Sequence, residues 1–168
     1  PQLGYKRLVK RCRKILPEVS QWMVRSDSAG YQNDFLDWMT MEGIAYSITS
    51  DQPAEMDREI ARISEDHWQD LILEGKKPGD QYAELDHRAA FSSQKECRLR
   101  MRGRKYWILR RPGKKQPYVY HVIVTNDLTR APEEVIRRHR GRCGSVEYMH
   151  SQLKQLGMNR MPSGTFEV

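Results

Sequence analysis

Two carboxylates in this chain of 168 residues stand where phosphodiester chemistry could be done. Asp27 comes after a strand read over Val19 to Arg25, whose Trp22-Met23-Val24 run suits burial on both sides. An acid just beyond a parallel strand lies at the sheet edge where α/β proteins place their ligands. Glu147, His150 and Lys154 recur at i, i+3 and i+7 and so project from one helix face. If that helix packs across the sheet near Asp27, the two acids could share divalent cations. A pair of metals about 3.5 to 4 Å apart activates a water or 3′-hydroxyl and stabilises the leaving oxygen. The same residues admit a plainer account, in which Asp27 caps a turn and Glu147 pairs with Lys on a surface. Asp127, also after an apparent strand, competes for the metal role or is a turn residue. His139 and Cys143 have the i, i+4 spacing of two metal ligands, but zinc needs four partners and no second pair accompanies them.

The charge pattern points to a polyanion. Lys and Arg number 29 against 22 Asp and Glu, a net +7, and the signs are segregated. Acids gather between Asp51 and Asp86, whereas Lys6 to Lys14, Lys95 to Lys115 and Arg130 to Arg142 are basic. Neutralising phosphates with such clusters releases condensed counterions, which makes nucleic acid the natural partner, although basic runs are also common as solvated faces. Cys97, Leu99 and Met101 alternate with Arg98, Arg100 and Arg102, a period-two strand with one cationic face. No stretch approaches the roughly 20 consecutive apolar residues of a membrane-spanning helix, and no secretory signal opens the chain. Three cysteines, Cys12, Cys97 and Cys143, lack the spacing of a disulfide framework and read as reduced.

The elements that must position the acids follow from periodicity. Residues 4 to 16 read as an amphipathic helix with Tyr5, Leu8, Val9, Cys12, Ile15 and Leu16 on one side, ended by Pro17. After Asp27 and the Ser28-Ala29-Gly30 turn, Asn33 can cap a helix carrying Phe35, Leu36, Trp38 and Met39 that closes at Gly43. Ile44, Tyr46 and Ile48 begin another strand, so the first part alternates as a three-layer α/β core with parallel strands would. Residues 53 to 75 look helical. Gln81 to Asp86, Lys95 to Met101, Tyr106 to Arg111 and Tyr118 to Thr125 read as strands of a mostly antiparallel sheet. A last helix starts at Pro132 and runs to about Leu156. The division expected is residues 1–50 as the first part of the core, 51–120 as a β-rich insertion, and 121–168 as the last core strand and glutamate-bearing helix. Trp22 and Trp38 fall in apolar phases and read as core. Trp107, beside Tyr106 and the Arg110-Arg111 pair, could stack on a flipped base, though packing is the commoner use.

Val24-Arg25-Ser26-Asp27-Ser28 with Gly30-Tyr31, then Leu36-Asp37-Trp38 and Glu42-Gly43-Ile44-Ala45-Tyr46, resembles the block around the second aspartate of bacterial DDE insertion-sequence transposases. Val124-Thr125-Asn126 and Arg140-Gly141-Arg142-Cys143-Gly144-Ser145-Val146-Glu147, with His150, Lys154 and Met161-Pro162-Ser163-Gly164, resembles their glutamate block. The resemblance implies a partial ribonuclease H-like core with a β insertion, with Asp27 and Glu147 as catalytic, metal-binding acids for Mg²⁺ or Mn²⁺. It also implies DNA contacts from His139, Arg142 and Lys154, to which charge and position add Arg98, Arg100, Arg102, Arg110, Arg111 and Trp107. His139 stands where the family has Tyr, and four residues rather than three separate Arg142 from Glu147, a turn of about 100° more around an ideal helix. The family's first aspartate has no counterpart, so the chain reads as a fragment that is inactive alone. The implied parent nicks double-stranded DNA at transposon ends and joins the 3′-hydroxyl to target DNA, as a possible homodimer in the bacterial cytoplasm, associated with the nucleoid. The rivals are a non-catalytic DNA-binding remnant or domesticated protein, and a small metal-dependent nuclease.

Overall fold

The computed structural model describes residues 2–72, 79–85 and 103–141. The expected strand Lys95 to Met101 with Arg98, Arg100 and Arg102, and the stretch bearing Arg142, Cys143, Glu147, His150 and Lys154, lie outside the described residues. Among the described residues, six strands form one mixed sheet in the order β1-β2-β6-β5-β4-β3. They are β1 (Met23–Ser26), β2 (Ala45–Thr49), β3 (Gln69–Asp70), β4 (Gln81–Leu85), β5 (Lys105–Pro112) and β6 (Tyr118–Thr125). Only β1 and β2 run parallel, and every other pairing is antiparallel. The helices are α1 (Gln2–Ile15), α2 (Asn33–Met41), α3 (Ala54–Ile60) and α4 (Pro132–Arg140).

Side-chain alternation along the strands makes two unlike faces. On one, Tyr46 and Ile48 of β2, Val122 and Val124 of β6, Tyr106 and Ile108 of β5 and Ala83 and Leu85 of β4 join Phe35, Leu36 and Met39 of α2 and Met56 and Ile60 of α3. Most of these side chains are wholly buried, each worth about 1.5 to 3 kcal/mol of transfer free energy. Tyr5 and Val9 of α1 pack against this cluster, with the Tyr5 and Phe35 rings 5.6 Å apart. The other face is apolar only over its β4-β5-β6 half. There Tyr82, Trp107, Leu109 and Ile123 receive Val135 and Ile136 of α4. Toward β1 and β2 the same face carries Arg25, Ser47 and Thr49.

Several expectations are corrected. β1 is an edge strand, paired among the described residues with β2 alone, so its residues are half-buried or exposed up to Ser26 rather than buried on both sides. α2 begins at Asn33 with Gln32 in the cap position, because the Asn33 side chain is taken by Arg104, whose Nη1 donates to Oδ1 at 3.2 Å. The helix expected over 53 to 75 stops at Ile60. Ser64 and Asp66 turn the chain locally, Glu65 is drawn to Arg110, and Trp68 is buried beneath that guanidinium, so tertiary anchoring overrides helical propensity. The boundary drawn at 120/121 falls inside β6, which pairs with β5 along its whole length and with β2 from Ile123 to Thr125. The expected insertion strands and the β2 side therefore share one continuous sheet.

Register at β2 is held by Asn126. Its Oδ1 accepts the Tyr46 N–H at 2.8 Å and its Nδ2 donates to the Ile44 carbonyl at 2.9 Å, while the Thr125 hydroxyl donates to the Tyr46 carbonyl at 2.7 Å. Gly43, at φ +66°, makes the left-handed exit from α2 that delivers the chain to this clamp. Asn126→Asp keeps the acceptor, loses the donor and sets a carboxylate against the Ile44 carbonyl. It is expected to lower stability by about 1 to 3 kcal/mol, read as a fall in the urea midpoint. An unchanged midpoint would show that the clamp contributes nothing.

The start of α4 is tied to β4. The Tyr82 hydroxyl donates to Glu133 Oε1 at 2.5 Å. Burial, reinforced by that acceptor, pushes the phenol up to about 12, and the bond holds the Glu133 carboxyl below its usual range. A carboxyl depressed in the native state stabilises fully above its unfolded value and loses that contribution as pH falls through the native one. Tyr82→Phe should therefore cost about 1 to 2 kcal/mol at pH 7, and the gap from the parent protein should close in urea titrations carried below about pH 4. A gap that is the same at both pH values would rule out a charge-assisted bond.

Candidate functional site

Asp27 is placed by the end of β1. Within that strand Val24 packs on the large apolar cluster and Arg25 points to the opposite face, where its Nη1 donates to the Arg138 carbonyl of α4. Ser26 turns back toward the first face, beside Gly30, where a Cβ would stand 2.7 Å from the Ser26 Cβ and Oγ. Only glycine lets the chain fold back this tightly. Asp27 then caps the short 3-10 turn Ser28–Gly30. Its Oδ1 accepts the Ala29 N–H at 3.2 Å and the Ser26 hydroxyl at 3.3 Å. Among the described residues nothing donates to its Oδ2, and the residue is exposed. The capping account of Asp27 thus holds, and it leaves one hard carboxylate oxygen facing solvent.

α4 crosses the second face of the sheet from β4 toward β1. Its first turn holds Glu133 at Tyr82, its middle rests Val135 and Ile136 on Trp107, Leu109 and Ile123, and its last turn meets Arg25 through the Arg138 carbonyl. In the same last turn His139, 3% exposed, drops onto β2. Its Nδ1 lies 3.1 Å from both the carbonyl oxygen and the hydroxyl of Ser47, and its Nε2 lies 3.1 Å from Thr49 Oγ1. A carbonyl oxygen only accepts, so Nδ1 carries the proton and Nε2 is free to accept from the Thr49 hydroxyl. Thr49 Oγ1 is in turn 3.5 Å from His121 Nε2 on β6, and the two imidazoles lie 5.9 Å apart. The polar phase of two otherwise apolar strands, Ser47 and Thr49 in β2 and His121 in β6, was the available signal for this chain of contacts, and it went unread in the sequence.

Three expected DNA contacts are corrected by burial. His139 is enclosed as just described. Arg110, 3% exposed, forms a two-pronged ion pair with Glu65 at 2.8 and 2.5 Å, its guanidinium 4.2 Å from the Trp68 ring centre and 4.4 Å from that of Tyr118. That bond raises the guanidinium further and holds the Glu65 carboxyl below its usual range. Trp107, 6% exposed, packs edge-on against Tyr82 with Lys105 over its ring, which fits the packing alternative and removes it as an open stacking platform. Arg111 remains exposed. Asp127 lies at the opposite edge of the sheet from Asp27, where β6 ends beside the start of β2. It is paired with Arg130 and bonded to Thr129, so the two aspartates do not meet.

Among the described residues no group of three His, Cys, Asp or Glu could hold a metal ion. The donor chemistry at Asp27 nonetheless suits a hard cation, since an exposed carboxylate with one oxygen fixed and one open is what Mg²⁺ or Mn²⁺ binds. No curated protein sequence matches the chain. A family model described as transposase DDE domain group 1 matches residues 4–168, a span that takes in the Asp27 block, the Asn126 clamp and Glu147. By that match the chain belongs to the transposase DDE domain family, whose members cleave and transfer DNA in transposition and generally use divalent metals.

Proposed function

We propose that this chain forms part of the catalytic centre of a transposase that cleaves DNA at element ends and transfers the freed 3′-hydroxyl. In this reading Asp27 and Glu147 are metal-holding acids for Mg²⁺ or Mn²⁺, and the fold is a partial ribonuclease H-like core. The observation that carries it is the heading of α4. The helix meets β1 at Arg25, two residues before Asp27 on the same face, and the chain leaves it at Gly141. Glu147 follows six residues later in the sequence, and six residues span at most about 20 Å, so a chain continuing from Gly141 is long enough to bring its carboxylate to the β1 end.

Each residue then has a chemical task. The Ala29 N–H and Ser26 hydroxyl lock the Asp27 carboxylate, so that Oδ2 is presented in one orientation. Arg25, donating to the Arg138 carbonyl, ties the last turn of α4 to the strand that leads into Asp27. Bound divalent cations would supply an activated water or 3′-hydroxyl and stabilise charge on the leaving oxygen. The outer edge of β1, unpaired among the described residues, is where a further strand bearing the family's first acid would add.

The test uses the transposase that contains this chain. With Mg²⁺ or Mn²⁺ and a duplex carrying the element end, Asp27→Ala and Glu147→Ala should each reduce strand cleavage by at least about a hundredfold. DNA affinity should stay within about twofold, as expected for residues that act in the reaction rather than in non-specific phosphate binding. Cleavage unchanged in both variants overturns the catalytic assignment, and cutting without joining of a pre-cut end would make the protein a nuclease instead.

A further inference from the structure

A pocket of about 300 Å³ opens on the face of the sheet that α4 covers, lined by Thr49, Arg111, Val119, Tyr120, His121, His139 and Arg140. Register sets it on the Asp27 edge. Ser26 pairs with Ile48, so Asp27 and Thr49 occupy the next row, and β6 and β5 run on past it through the Val119 and Arg111 pair. Two arginines and two histidines are among the seven residues that line the pocket. Arg140 is neutralised by Asp80 at 2.7 Å. Arg111 is exposed and pairs with no acid among the described residues. The β5–β6 turn beyond it adds Lys114 and Lys115, both exposed.

We infer that this pocket seats a backbone phosphate of the DNA strand lying along the Asp27 edge, with Arg111 as the charged contact and the His121 ring as part of the wall against which the phosphate rests. The inference rests on the function proposed above for that edge. A guanidinium presents N–H donors in a planar fork that matches two phosphate oxygens. His121 is held by the Thr49 and His139 contacts, which run back to the Ser47 carbonyl, so its ring is oriented before any anion arrives. Arg111 is exposed, and the chain runs on from it into the β5–β6 turn with the exposed Lys114 and Lys115. That suits one phosphodiester of a continuing strand better than an isolated ion.

The experiment measures binding of a labelled duplex to the full transposase over a range of salt, without added divalent metal, so that it is independent of cleavage. Arg111→Ala should weaken binding by about tenfold at low salt and reduce the slope of log K against log salt by about 0.9, the loss of one phosphate contact. Arg111→Lys should retain the slope but not the full affinity, and His121→Gln should weaken binding severalfold. Arg58→Ala, on α3 across the sheet, should change affinity by less than twofold. Arg111→Ala and His121→Gln variants that bind like Arg58→Ala overturn the inference. In NMR spectra of the imidazoles, the duplex should shift His121. A shift produced by inorganic phosphate alone and not by the duplex also overturns it. Loss of binding in these variants together with unchanged cleavage in Asp27→Ala would keep the phosphate site and reject the catalytic assignment.

Discussion

The contact of His139 with Ser47 and Thr49 decides how α4 lies on the sheet, and much else follows from that. An imidazole buried without partners loses its hydration and gains nothing in return, so a helix carrying one can dock only where donors and acceptors wait for it. β2 supplies them because alternation sends Ser47 and Thr49 to one face while Tyr46 and Ile48 enter the large apolar cluster. A slip of one residue in β2 would turn the hydroxyls into that cluster and set Tyr46 and Ile48 under the helix. The Asn126 clamp on Ile44 and Tyr46 prevents the slip, and so a side chain at the far edge of the sheet governs where the helix meets β1.

Charge is distributed by the same logic. The net +7 suggests a broadly cationic surface, yet several arginines work inside the fold. Arg110 is sandwiched by Trp68 and Tyr118 and paired with Glu65, Arg104 joins β5 to α2 through Asp37 and Asn33, and Arg25 fastens β1 to α4. A guanidinium satisfies several acceptors at once and still presents a flat face for packing, which suits these joints. Among the described residues of the β5–β6 hairpin, what remains for solvent is Arg111 with Lys114 and Lys115, grouped at one end.

Period-two alternation made β4, β5 and β6 legible almost to the residue, and apolar spacing did the same for α1 and α2, because both report which side of an element is buried. The placement of Asp27 immediately after β1 was equally legible. Alternation does not say what a buried phase meets. Arg110 and Trp107 read as a cationic, aromatic surface, whereas Glu65 and Trp68 on one side and Tyr82 on the other enclose them. β1 read as doubly buried because Trp22, Met23 and Val24 are apolar, but among the described residues it pairs with β2 alone, and which strands pair is a long-range choice that local pattern does not encode. α3 ends early for the same reason, drawn off by a distant guanidinium.

The capping and catalytic accounts of Asp27 are usually set against one another, since most aspartates after strands are caps. Under the function proposed above, the two support each other. A carboxylate that must bind a cation performs best when its rotamer is already chosen, because ordering it on binding costs side-chain entropy. Capping the Ser28–Gly30 turn occupies only Oδ1, through the Ala29 N–H and the Ser26 hydroxyl, and both donors belong to backbone or side chain fixed by the Gly30 contact. Among the described residues nothing donates to the opposite oxygen, and the residue is exposed. The local turn therefore does the orienting that a metal ligand requires from its surroundings, and the glycine that permits so close a turn belongs to the site as much as the acid does.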